Sequence, residues 1–210
     1  ICEYLAANGW EHSPNDSEYD AERALFPADL LKWLQISDPQ NYERIVKPGL
    51  SADETAKAKE RILDSLVRTL ATPELQGGGT LNVLRKGFRV LGARRPFKVL
   101  QLPPQDDRNP ELSDLFEKNI LRVVEEVHAY PTQPQKARVD LVFFCNGIPV
   151  TTTELKSEYA QTLQQAIKQY KQDRDPKLSP LLQEHRGALV HFALAQDEIF
   201  MTTRLDGKAT

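Results

Sequence analysis

Cysteine is scarce in this chain. Only two of its 210 residues are cysteine, Cys2 and Cys145, and neither belongs to a CxxC pair. A disulfide framework and a zinc site are therefore not expected, and reduced thiols in a cytosolic setting are. The histidines His12, His128, His185 and His191 show no metal-ligand spacing along the sequence. A basic excess is missing too: 27 Lys and Arg stand against 30 Asp and Glu, a net charge of -3. That removes any whole-protein attraction to nucleic acid but leaves room for a local basic patch. No apolar run approaches a membrane span and no segment resembles a signal peptide, so no membrane partner is expected. Internal repeats and long low-complexity tracts are absent. So is a GxxxxGK[ST] loop. Gly77-Gly78-Gly79 has no Lys-Ser/Thr after it and reads as a linker, so this chain is not expected to bind ATP.

What is present is ordinary for a soluble globular protein: 40% hydrophobic and 27% charged residues, enough chain for one large domain or a domain with an appendage. The chain opens already in helical pattern and ends without a stop signal, as a piece of a longer protein would. Residues 1–8 read as the tail of a helix closed by Asn8-Gly9, and residues 11–21 as polar and turn-rich. Helical patterning runs from Ala28 to about Leu70. Its last segment opens on Ser51 and Glu54 at capping-box spacing and carries the stripe Ile62, Leu63, Leu66, Val67 and Leu70. A further helix is expected over Thr80–Leu91, and a short one near Leu112–Asn119. The pattern then changes to strands at Asn119–Tyr130, a hairpin, a helix of about Tyr159–Gln172, and two closing strands. A helical first half followed by β-β-β-α-β-β gives an α+β fold class. Trp10 and Trp33 are expected in the core of the helical half, and His191 as a packed core histidine.

The hairpin VDLVFFCNGIPVTTTELK, Val139 to Lys156, poses a chemical question. Asp140 shares a strand face with Val142 and Phe144, while Leu141, Phe143 and Cys145 take the other face, so the strand is expected to be central and buried. A buried carboxylate is costly unless it is paired or bound to a cation. With a two-residue turn at Asn146-Gly147, Asp140 would face Thr153 and Glu154 would point to the opposite side. With a three-residue bulged loop, Glu154 becomes a same-face diagonal neighbour of Asp140, within about 7–8 Å. A shared site for one divalent cation therefore needs the bulged loop, or an equivalent bulge elsewhere. Hard cations take carboxylate and carbonyl oxygens, so the Leu155 carbonyl is a further candidate ligand. Lys156 could orient or deprotonate a water, or neutralise a phosphate. The competing reading of the same residues is an edge hairpin whose polar side chains face solvent.

The longer strings are more specific than ExK. RVDLVFFCNGIPVTTTELK, AIKQYKQDRDP, ALVHFAL and EIFMTTRLDGK resemble the amino-terminal nuclease region of the restriction (R) subunit of type I restriction-modification enzymes. The resemblance covers roughly Asn119 to Lys208, with ICEYLAANGW and YDAERALFPADLLKWL resembling the start of longer R subunits. It implies a PD-(D/E)xK restriction-endonuclease-like core, a mixed sheet flanked by helices, with residues 1–110 as a helical region that includes the first core helix and 111–210 as the nuclease core. It implies Mg²⁺-dependent cleavage of double-stranded DNA in the cytoplasm, with Asp140 and Glu154 as metal ligands and Lys156 as the catalytic lysine. Val139 stands where the motif name has Pro. Many relatives place a Gln four residues before the Tyr of the next helix. Here Ala166 has that spacing before Tyr170, with Gln165 and Gln169 as nearby substitutes. A glutamate on the first helix often joins the site, and Glu3 is the candidate on this chain. The resemblance also implies an ATP-driven translocase elsewhere in the subunit, and modification and specificity subunits as partners.

Two basic groups are candidates for DNA contact. Arg85, Lys86, Arg89, Arg94, Arg95 and Lys98 interleave with Phe88 and Phe97, and Lys168, Lys171 and Arg174 lie on and after the helix following the ExK strand. Alternative functions are another nuclease of the same fold, of repair or resolvase type, or a non-cleaving module that docks DNA or the modification subunits.

Overall fold

A computed structural model describes residues 1–105, 108–132, 138–155 and 175–205. Helices come first. Pro27 starts α2 (Pro27–Ser37), which follows a short α1 (Cys2–Ala7) and buries Leu30, Trp33 and Leu34. α3 (Pro39–Ile45) follows almost directly. α4 (Ala52–Ala71) has the expected capping box: the Ser51 hydroxyl accepts from the Glu54 N–H, and the Glu54 carboxylate accepts from the Ser51 N–H at 2.9 Å. Its stripe at Ile62, Leu63, Leu66 and Leu70 is buried against α2 and α3 residues in one apolar cluster.

α5 (Thr80–Lys86) is shorter than the periodicity predicts. Gly87 adopts φ +78° and turns the chain into an antiparallel bridge between Phe88 and Phe97. A side chain at Gly87 would collide with the Phe97 carbonyl, so the helix stops there. α6 (Pro110–Phe116) precedes the sheet.

Among the described residues the sheet has six strands in sequence order: β1 (Glu11–Ser13), β2 (Leu121–Val127), β3 (Val139–Cys145), β4 (Ile148–Leu155), β5 (Val190–Leu194) and β6 (Ile199–Thr202). β2, β3 and β4 form an antiparallel meander, β1 runs parallel to β2, and β5 runs parallel to β4. β6 closes the edge antiparallel to β5. The helix expected over Tyr159–Gln172 lies outside the described residues. β3 is central, and apolar side chains on both of its faces are buried, as expected.

Two further features depart from the sequence reading. β1 forms within a stretch that reads as polar and turn-rich. Trp10 joins the sheet, meeting Phe143 edge-on at 5.4 Å, whereas Trp33 is buried in the helical layer as expected. One buried ion pair fastens the layers together. Arg122 on β2 makes a bidentate pair with Asp29 on α2, at 2.6 and 2.9 Å, donates to the Ser13 hydroxyl of β1, and stacks over Phe26. The hydrogen bonds to Asp29 push the guanidinium pKa above its ordinary value.

Candidate functional site

The β3–β4 hairpin places the acids, so its turn comes first. Cys145 pairs with Ile148 across a two-residue Asn146-Gly147 turn, with φ +49° and +80°. Two successive positive φ values are the signature of a type I′ turn. This turn is buried. The Asn146 side chain accepts from the Ile120 N–H at 2.7 Å and donates to the Val99 carbonyl at 2.9 Å. Gly147 accepts from the Phe26 N–H at 2.9 Å, at the start of α2. The three-residue bulged loop is therefore not formed.

An equivalent bulge is formed instead. Phe144 pairs with Pro149, but Phe143 pairs with Thr151, so Val150 is an extra residue on β4. Beyond it the register runs Val142 to Thr152 and Leu141 to Thr153, and its next step sets Asp140 across from Glu154. A one-residue shift moves a strand's side chains to the opposite face. The bulge therefore returns Glu154 to the face of Asp140, with Val142 and Thr152 between them and the turn. The local signal for it is Pro149: proline cannot donate to the ladder and occurs within sheets mainly at edges and bulges.

Glu154 is 1% exposed and Asp140 is half-buried. One Asp140 oxygen, Oδ2, accepts the Leu155 N–H at 2.6 Å, which locks the carboxylate against β4. His191 on β5 pairs with Thr152 in register, and its Nδ1 lies 2.7 Å from the Thr152 hydroxyl. Burial holds its pKa down at about 4, so it is neutral near pH 7. It is a core histidine, as expected, yet it stands on the same face as the acids. A third acid, Glu126, falls opposite Asp140 on β2, between the pairs Glu125–Leu141 and Val127–Val139. It is exposed and takes a left-handed φ of +54°, and no sequence signal pointed to it.

Asp140, Glu154 and the Leu155 backbone are thus brought together. Glu3 is not: it is exposed on α1, whose Cys2 contacts Glu125 on the other sheet face. Lys156, Gln165, Gln169, Tyr170, Lys168, Lys171 and Arg174 lie outside the described residues. Arg85, Lys86, Arg89, Arg94, Arg95 and Lys98 are all exposed, while Phe88 and Phe97 are buried against one another at 5.9 Å. These aromatics are core and offer no platform for bases. Their bridge projects the basic loop, and α3 and α4 add Arg44, Arg61 and Arg68 beside it. One open cleft of about 390 Å³ is lined by Arg61, Arg68 and Arg89, and another of about 400 Å³ by Arg44, Arg94 and Arg95. Arg95 pairs with Asp38 at 2.8 Å. Among the described residues, Arg44, Arg61, Arg68, Arg89 and Arg94 make no ion pair.

The architecture is that of an α+β protein with a mixed six-stranded sheet and two acids facing each other on its central hairpin. The model of the type I restriction enzyme R protein N terminus matches residues 1–209, and the chain belongs to that family. A comparison with the curated proteins returns no match. Among the described residues no helix is long and apolar enough to cross a membrane.

Proposed function

We propose that this chain is the DNA-cleaving region of a type I restriction R subunit, a Mg²⁺-dependent endonuclease of the PD-(D/E)xK kind. The observation that carries the reading is the Val150 bulge, which sets Asp140 and the deeply buried Glu154 on one face of adjacent central strands. A docking surface has no use for an acid that is 1% exposed. The donor set fits a hard cation: two carboxylates and, on the strand edge that already meets Asp140, the Leu155 carbonyl. The bond from Leu155 fixes one Asp140 oxygen and leaves the other as a ligand. Bound there, Mg²⁺ would supply charge neutralisation at the phosphate and lower the pKa of a water.

The remaining work belongs to the chain's own groups. Lys156, two residues past Glu154, aligns the attacking water or holds charge on the phosphoryl oxygens. Neutral His191 and Thr152 close the apolar side of the site. Gln165, Gln169 or Tyr170 serve as accessory contacts. Double-stranded DNA is the substrate, its backbone held by the arginines that make no ion pair among the described residues, and the modification and specificity subunits are the partners. ATP is used by another part of the subunit, and the assembly works in the cytoplasm.

The test is to assemble the R protein carrying each variant with its partner subunits and to follow DNA cutting and ATP turnover in parallel. Lys156→Ala abolishes cutting while DNA and metal binding persist. Asp140→Ala loses cutting and metal together. ATP turnover survives in both. Retained double-strand cutting by Lys156→Ala removes the lysine from the mechanism, and parallel loss of ATP turnover assigns the hairpin a structural role instead.

A further inference from the structure

On the opposite face of the sheet, three side chains that the cleavage reading does not use converge. Cys2 opens α1, His12 is the middle residue of β1, and Glu125 lies on β2. The Cys2 Sγ, a His12 ring nitrogen and a Glu125 carboxylate oxygen all lie within 4.8 Å of one another. His12 Nε2 is 2.6 Å from Glu125 Oε1. We infer that Cys2, His12 and Glu125 form a second metal site, selective for a borderline divalent ion of the zinc class.

The donor chemistry sets the class. Thiolate and imidazole suit Zn²⁺ and its transition-metal neighbours, and Mg²⁺ does not compete for them. A thiolate and a carboxylate neutralise a divalent charge. Zinc–ligand distances of about 2.0–2.3 Å put tetrahedral donors about 3.4–3.7 Å apart, so binding requires the imidazole and carboxylate to separate by roughly an ångström, with the sulfur already within 4.8 Å of both. The His12 and Glu125 side chains are 29% and 37% exposed, which leaves a fourth position open to water.

The placement gives the ion something to hold. α1 buries no residue, and its Ile1 and Tyr4 flanks are 64% and 71% exposed. β1 has three residues and occupies the edge of the sheet. A metal joining α1, β1 and β2 cross-links the two least buried elements of this region to the sheet. Reading the sequence for ligand spacing misses the site because His12 and Glu125 lie 113 residues apart.

Cobalt(II) titration of the purified chain tests it, because a Co²⁺–thiolate site shows a sulfur-to-metal charge-transfer band with tetrahedral d–d bands, and the chain has two thiols. The expected result is one Co²⁺ bound per chain, displaced by Zn²⁺ and indifferent to excess Mg²⁺. The charge-transfer band disappears in Cys2→Ser and survives in Cys145→Ser. His12→Gln and Glu125→Gln each weaken binding at least tenfold, and Asp140→Asn leaves it unchanged. Hydrogen exchange in α1 slows when Zn²⁺ is added to the wild type and stays fast in Cys2→Ser. Absence of the band, or a band that survives Cys2→Ser, overturns the site and leaves the three residues as a hydrogen-bonded clip. Because Asp140→Asn separates the two sites, failure here says nothing against the cleavage reading.

Discussion

Glu154 keeps its carboxyl group where water barely reaches, and the proposed metal site turns on that residue. Two facing carboxylates repel, so a cation shared between them should stabilise the folded state by mass action, about 2.7 kcal/mol at a hundred times its dissociation constant. Thermal unfolding with and without Mg²⁺ is therefore expected to show an upward shift in the wild type and none in Asp140→Asn. Equal shifts in the two proteins would place the bound Mg²⁺ elsewhere. His191 offers a second residue-level test. Its folded pKa of about 4 lies below the ordinary value of 6.5, so the unfolded state binds the extra proton first. Stability from the neutral ring is complete above about pH 6.5 and is lost as pH falls through 4, by on the order of 3 kcal/mol. Urea midpoints measured from pH 7 to 4 should fall more steeply for the wild type than for His191→Gln. Parallel curves would mean that the ring titrates as if exposed.

At the scale of elements, the hairpin is held at its turn and carries the Asp140–Glu154 pair at its open end. Gly147 adopts φ +80°, and a Cβ there would collide with the Phe26 carbonyl and sit 2.8 Å from the Leu30 N–H. Gly147→Ala should cost about 2–4 kcal/mol, since it adds backbone strain to a collision with main chain that cannot give way. Denaturant melts read this directly, and a loss below 1 kcal/mol would show that the turn is not pinned to α2. The legibility of the elements follows their physics. α4 was readable because a capping box and a 3.6-residue stripe are both local signals. The acids of β3 and β4 were readable as an anomaly, polar groups set among apolar neighbours. Their mutual register was not settled by the residues alone, because it depends on where one extra residue sits. Pro149 marks the place but does not say which neighbour bulges out. β1 was hidden because three residues carry no period, and its pairing is set by β2 more than a hundred residues on. α5 was read too long because the Phe88–Phe97 bridge that ends it is a tertiary contact.

Across the whole molecule the net charge is -3, yet cations gather on the helical layer. Arg61, Ser65, Arg68 and Thr69 share one face of α4, and Arg89 closes the same cleft from the loop that follows α5. Other arginines are neutralised in place: Arg23 by Asp20, Glu60 and Asp64, and Arg122 by Asp29. Like charges left together without carboxylates repel, and a polyanion relieves that repulsion while releasing its own counterions. A basic surface of this kind contributes affinity without sequence preference, as the proposed DNA-cleaving role requires. Each phosphate neutralised adds about 0.9 to the slope of log affinity against log salt. Arg61→Gln, Arg68→Gln and Arg89→Gln combined should therefore flatten that slope by up to about 2.7 in a fluorescence anisotropy titration with duplex DNA. The loss should be uniform across DNA sequences, and Mg²⁺-induced stabilisation should be unaffected, because none of the three residues belongs to the acid pair. An unchanged slope would move the DNA path away from α4 and leave the cleft to an acidic protein surface, whose candidates are the partner subunits of the restriction assembly.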